Sequence, residues 1–148
     1  MNATVVYWDA SALLSVLLRD EHSEKAVAFA SIDASHLVSS LAWAEAHAVI
    51  GRTERHNPKD APWCSAARAA IADAPWRQAF VLPAWNHMRD LATRHPLRGA
   101  DLWHLAAAKT LLADLPDLAF LSFDQRLAAA ATSEGLIAPT IPQTPASG

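Results

Sequence analysis

The sequence contains little cysteine and no excess of positive charge, and each shortage excludes a class of protein. The single cysteine, Cys64, permits no internal disulfide and no paired-cysteine zinc site, so a reducing, cytoplasmic setting is expected. A net charge of -3 gives no overall attraction to nucleic acid, so any such contact requires a local basic patch.

Long hydrophobic runs are also missing. No apolar stretch approaches the roughly 20 residues that span a bilayer, which excludes a membrane-spanning helix. The first four residues carry no basic group and Asp9 interrupts the first apolar run, so a signal peptide is not predicted. The sequence therefore predicts a soluble protein with no membrane partner.

The chain is nevertheless long and apolar enough for one well-packed domain. It has 148 residues, of which 52% are hydrophobic. Short apolar runs alternate with helix-forming segments, which favours a parallel sheet between two helical layers. We expect an α/β fold, a three-layer α/β/α sandwich with four or five parallel strands. The domain should cover residues 1–138, and residues 139–148 should form a flexible, proline-rich tail.

Residue patterns give the expected elements. Strands are predicted over 5–8, 36–39, 78–82 and 118–122, with a short edge strand at 136–137. Helices are predicted over 12–18, 24–32, 41–52, 63–73, 84–94, 100–115 and 125–132. Ser40 is the expected cap of the third helix, Gly51 indicates that this helix is near its end, and 53–62 is the clearest surface loop.

Two of the predicted strands are followed by an aspartate and then a helix. Asp9 ends the first strand and Asp124 follows the last. Aspartate is a preferred helix N-cap, so either residue needs no further explanation. The carboxyl edge of a parallel sheet is also where ligands bind, so both residues are candidates for a site.

Two helices carry a further acid on a face that should point inward. Glu45 shares a helical stripe with Leu41, Ala48 and Val49, while Asp101 begins a stripe at the start of the long helix. Asp101 at that position also interacts favourably with the helix dipole, whatever its other role. Four carboxylates close together raise each other's pKa unless a cation offsets their charge, so the set implies a metal ion. All-oxygen ligands favour Mg²⁺ or Mn²⁺, which promote phosphodiester hydrolysis.

The ordered set of motifs resembles the PIN-domain ribonucleases, and among them the VapC toxins of bacterial toxin-antitoxin pairs. The residues that carry the resemblance are Asp9-Ala-Ser11, Glu45, Gly99-Ala-Asp101-Leu-Trp-His104 and Ser122-Phe-Asp124. The resemblance implies a metal-dependent endoribonuclease, a homodimer and inhibition by a VapB antitoxin. It also implies that Asp9, Glu45, Asp101 and Asp124 bind the metal and that the Ser11 hydroxyl supports them. Arg126 stands where some members carry a further acid, so one metal ion or two remain alternatives.

Two other functions are compatible with the same residues. A haloacid dehalogenase-type phosphatase also begins with a strand and an aspartate, but it needs a second aspartate where this chain has Ser11. A catalytically silent binding module with the same fold is the alternative from a different class. His104 lies three residues after Asp101, but one such pair is not a full set of ligands for a transition metal. We therefore interpret His104 as a core or supporting residue and not as a metal ligand. Arg98 and Arg126 are the best phosphate-contact candidates because they adjoin the acids.

Overall fold

The computed structural model describes residues 5–73 and 75–143 and shows the α/β/α sandwich that the sequence predicts. The strands are β1 (Val5–Trp8), β2 (Ser35–Ser39), β3 (Trp76–Ala79) and β4 (Leu118–Leu121). The helices are α1 (Ala10–Leu17), α2 (Ser23–Ala30), α3 (Ser40–His56), α4 (Ala61–Ala72), α5 (Trp85–Arg94), α6 (Gly99–Leu112) and α7 (Gln125–Ser133), with a 3₁₀ helix at Pro58–Asp60.

The sheet is parallel with strand order β3-β2-β1-β4, so β1 lies at its centre. The predicted short edge strand is reduced to one parallel bridge between Ile137 and Ala119, supported by a 2.8 Å hydrogen bond from Phe120 N to Ile137 O. Because all strands run the same way, their carboxyl ends meet at one edge. This edge brings together the residues that follow β1, β2 and β4.

Successive β1 residues enter opposite halves of the core because side chains alternate along a strand. Val6 and Trp8 pack with helices α1–α4, whereas Tyr7 packs with α5–α7. All three side chains are at most 1% exposed, as expected for a central strand covered on both faces. Asp9 is therefore attached to the most constrained strand of the sheet.

Three predictions about local structure were wrong. The expected loop at 53–62 is mostly helical, since α3 continues to His56 and the 3₁₀ helix begins at Pro58. Proline at a first helical position lacks only an N–H that would have no helical partner, so it starts a helix as readily as it ends one. The cap of α3 is Ser39, whose hydroxyl accepts from Ala42 N at 3.1 Å, and not Ser40.

β3 also lies earlier than predicted, at Trp76–Ala79, because Phe80 and Leu82 point into solvent. Within the described residues, no helix is both long and apolar enough to cross a bilayer. The predicted tail begins without regular secondary structure over 139–143, and its remaining residues, 144–148, lie outside the described part of the chain.

Candidate active site

Asp9 combines the N-cap of α1 with a buried position at the carboxyl edge of the sheet. Its side chain is only 2% exposed, and its Oδ1 accepts from Ala12 N at 2.8 Å. Burial raises the pKa of Asp9, while hydrogen bonds from Ser122, Ala12 and Ser11 act in the opposite direction. The capping role is thus real, and the capping hydrogen bond uses only one of the two carboxylate oxygens.

Two serine hydroxyls connect Asp9 to the start of α7. The Ser11 hydroxyl lies 2.8 Å and 3.0 Å from the two Asp9 oxygens and accepts from Phe123 N at 3.1 Å. The Ser122 hydroxyl donates to Asp9 Oδ2 at 2.5 Å and accepts from Asp124 N at 3.1 Å. Ser11 occupies the supporting position that the sequence predicts. Ser122 was not predicted as a site residue, although it stands in the motif beside Asp124.

Asp124 caps α7 in the same way that Asp9 caps α1. Its Oδ1 accepts from Leu127 N at 3.0 Å, and its side chain is exposed. Asp124 also lines a polar cavity of about 420 Å³, together with Asp101. Arg98 and Arg126, both exposed, line the same cavity, so the two acids and the two arginines share one recess.

Glu45 and His104 form a contact that sequence spacing did not reveal. Glu45 Oε1 lies 2.9 Å from His104 Nε2, and His104 Nδ1 lies 2.8 Å from the Tyr7 hydroxyl. Both ring nitrogens of His104 are therefore engaged by protein groups. This arrangement agrees with a supporting histidine and leaves neither nitrogen free for a metal ion.

Asp101 lies in the first turn of α6 and interacts electrostatically with two other acids. Burial raises its pKa, and the negative charges of Asp124 and Glu45 raise it further. Tyr7 in turn experiences the charges of both Asp9 and Glu45. Asp101 thus lies within electrostatic range of Asp124 and Glu45, and Tyr7 within range of Asp9 and Glu45.

The carboxylate oxygens of the four acids are ligands of the type that a hard divalent cation prefers. In this structure, however, the carboxylates do not form a complete coordination site. Among the described residues, no three His, Cys, Asp or Glu side chains stand close enough together to hold a metal ion. The donors to Asp9 leave room for one more partner, because a carboxylate has about four acceptor positions and one backbone amide and two hydroxyl protons fill three. Excess negative charge and oxygen ligands are what Mg²⁺ or Mn²⁺ would offset.

Comparisons with known proteins point to one family. The family model for the PIN domain matches residues 6–132. The chain is 30% identical over 139 residues to Ribonuclease VapC45 of Mycobacterium tuberculosis (strain CDC 1551 / Oshkosh), covering 88% of this chain and 92% of that relative. Ribonuclease VapC49 of Mycobacterium tuberculosis (strain ATCC 25618 / H37Rv) is similar to the same extent. All four acids and both serines of the site lie inside the matched range.

Proposed function

Because this chain belongs to the PIN-domain family and is a VapC-type member of it, we propose that it is a metal-dependent endoribonuclease and the toxin of a toxin-antitoxin pair. The observation that supports the chemistry is the polar cavity that Asp101 and Asp124 line beside Arg98 and Arg126, since carboxylate oxygens there can hold a divalent cation next to a phosphate. A phosphatase of the haloacid dehalogenase type loses its basis with this family assignment.

In this proposal Asp9, Glu45, Asp101 and Asp124 hold Mg²⁺, for which Mn²⁺ can substitute. A bound divalent ion supplies an acidified water and neutralises charge on the scissile phosphate. The protein's own contribution is positioning. Ser11 and Ser122 fix the Asp9 carboxylate against the start of α7, and Asp9 and Asp124 are held by the helices that they cap.

Arg98 and Arg126 are proposed to bind RNA phosphates. Both guanidinium groups are exposed at the cavity that Asp101 and Asp124 line, where a phosphate would otherwise meet only negative charge. Guanidinium groups pair with phosphate oxygens in a bidentate manner, so they offset this repulsion locally although the whole chain is acidic. These arginines support RNA as the substrate. The other proposed partners, a VapB-type antitoxin that blocks the site and a second copy of the chain, follow from the family.

The test is cleavage of total bacterial RNA by the purified protein with Mg²⁺, with Mn²⁺ and with EDTA. Asp9→Asn and Asp101→Asn are the site variants, and Asp114→Asn is the matched control because Asp114 is exposed beyond the opposite end of α6. Discrete, metal-dependent products that both site variants lose and the control keeps would support the proposal. Absence of cleavage by folded wild-type protein under every condition would favour the silent binding module.

A further inference from the structure

We propose that His104, held in place by Tyr7, positions the Glu45 carboxylate for the nuclease reaction. This inference rests on the proposed function, and it assigns His104 a role that is neither metal binding nor contact with RNA. The geometry is a continuous chain of short contacts, from the Tyr7 hydroxyl to His104 Nδ1 at 2.8 Å and from His104 Nε2 to Glu45 Oε1 at 2.9 Å.

Burial separates the positioning groups from the group that they position. Tyr7 is fully buried and His104 is 1% exposed, so neither side chain can touch a substrate in solution. The Glu45 side chain, at the other end of this series of contacts, is 34% exposed. A buried pair that ends on a partly exposed carboxylate is suited to fixing a rotamer of a long, flexible side chain.

The direction of the hydrogen bonds follows from the tyrosine. A tyrosine hydroxyl is protonated at neutral pH, because its usual pKa is about 10, so Tyr7 can donate a hydrogen bond. The hydroxyl proton is then available to His104 Nδ1, which places the histidine hydrogen on Nε2, facing Glu45.

Ring packing fixes the orientation of His104 independently of its hydrogen bonds. The Trp103 ring is edge-on to it at 5.6 Å, and the Tyr7 ring is edge-on at 5.9 Å. His104 and Glu45 are 59 residues apart in sequence and belong to helices that cover opposite faces of the sheet, so their contact depends on the tertiary fold. Partners that orient a metal-binding side chain typically affect metal affinity or activity by about 10–100-fold.

Two substitutions of His104 test the contacts of its two ring nitrogens one at a time. His104→Gln places an amide nitrogen near the original Nε2, so it keeps the donor to Glu45 and loses the link to Tyr7. His104→Asn places its polar atoms near the original Nδ1, so it keeps the Tyr7 link and loses Glu45. Tyr7→Phe removes the tyrosine proton, and His56→Asn at the exposed end of α3 is the matched control.

We expect His104→Asn to lower kcat by about 10–100-fold with KM for RNA unchanged, because His104 is buried and its ring nitrogens contact Glu45 and Tyr7. His104→Gln should remain within about threefold of wild type by the same reasoning, and Tyr7→Phe should fall between them. Equal losses in the Gln and Asn variants, or a change in KM alone, would overturn the positioning role. The melting temperature of each variant identifies any loss that is due to unfolding.

The role can also be measured without activity. Nitrogen NMR of metal-free wild-type protein should show His104 as the Nε2–H tautomer, and this signal should change in Tyr7→Phe. Crystal structures should show the Glu45 carboxylate in place in His104→Gln and displaced in His104→Asn. The Nδ1–H tautomer, or an unmoved Glu45 in the Asn variant, would refute the inference even if the protein cleaves RNA. An inactive wild type would refute only the proposed function, and the tautomer and Glu45 position would still decide this inference.

Discussion

At the scale of single residues, the Asp9 carboxylate caps α1 and is also one of the acids proposed to hold the metal ion. An asparagine there keeps an oxygen that can accept from Ala12 N, and the Ser11 and Ser122 hydroxyls can rotate to accept from its amide. The cap can thus survive a change that removes the charge. This separation is why Asp9→Asn is a cleaner test of chemistry than Asp9→Ala, which would also lose a cap that stabilises by about 1 kcal/mol.

Ser122→Ala should weaken both the fold and the site. The variant removes the donor to Asp9 Oδ2 and the acceptor for Asp124 N, and hydrogen bonds to charged groups stabilise by about 1.5–3 kcal/mol. We expect urea denaturation to show a loss within that range, together with a lower kcat for RNA cleavage. Ser65→Ala, at an exposed position of α4, is the control and should lose nothing. An unchanged kcat in Ser122→Ala would show that this hydroxyl is dispensable for the site.

Asp101→Asn should stabilise the metal-free protein at neutral pH. The pKa of Asp101 is raised in the folded state by burial and by Asp124 and Glu45, so its ionised form opposes folding. Asp101 therefore destabilises the folded protein most at pH values above its raised pKa, and this destabilisation decreases as the pH falls through that pKa. The melting temperature of the variant should exceed that of the wild type at pH 7, and the gap should narrow toward pH 4.

Mg²⁺ should reverse that order, because an ion that binds only the folded wild type stabilises it by mass action. Calorimetry with EDTA and with Mg²⁺ provides both measurements. A metal-free variant that melts at or below the wild-type temperature at pH 7 would mean that repulsion among the acids is negligible.

At the scale of elements, the sequence predicts features that depend on local chemistry and misses those that depend on packing. Strand β1 and the strand, aspartate, helix order around Asp124 are confirmed because burial and capping leave a local pattern. β3 was placed too late because Phe80-Val81-Leu82 is more apolar than the real strand, although two of these side chains are exposed. The contact of Glu45 with His104 had no local signal at all.

Helix α3 provides a prediction about its own interior. The sequence predicts that α3 ends near Gly51, but five residues follow this glycine within the helix. A Cβ at Gly51 would lie 3.3 Å from the flexible end of the Arg55 side chain, which can move, so Gly51→Ala should raise the unfolding free energy by about 0.5–1 kcal/mol. Gly135→Ala should destabilise the protein, because Gly135 has φ +87. Urea denaturation of both variants measures these two changes in unfolding free energy. A Gly51→Ala variant less stable than the wild type would contradict the first prediction.

At the scale of the whole molecule, the largest exposed apolar side chains follow the edge strand β3. Phe80, Leu82 and Trp85 are 95%, 88% and 87% exposed. Two aromatic side chains alone present about 300–500 Å², as much as the largest patch on a typical monomer. A dimer interface of standard size needs about 800 Å² per subunit, so this patch would form its centre and the surrounding surface its rim.

We therefore expect the protein to be a dimer in solution and the double variant Phe80→Ser/Trp85→Ser to be a monomer. Truncating buried aromatic anchors removes most of the binding energy of an interface, whereas changing a lone exposed side chain does not. Light scattering after size exclusion measures both states, and Val27→Ser on α2 is the control because Val27 is 52% exposed away from β3. A double variant that stays dimeric but no longer binds the antitoxin would assign the patch to the antitoxin and place the dimer interface elsewhere.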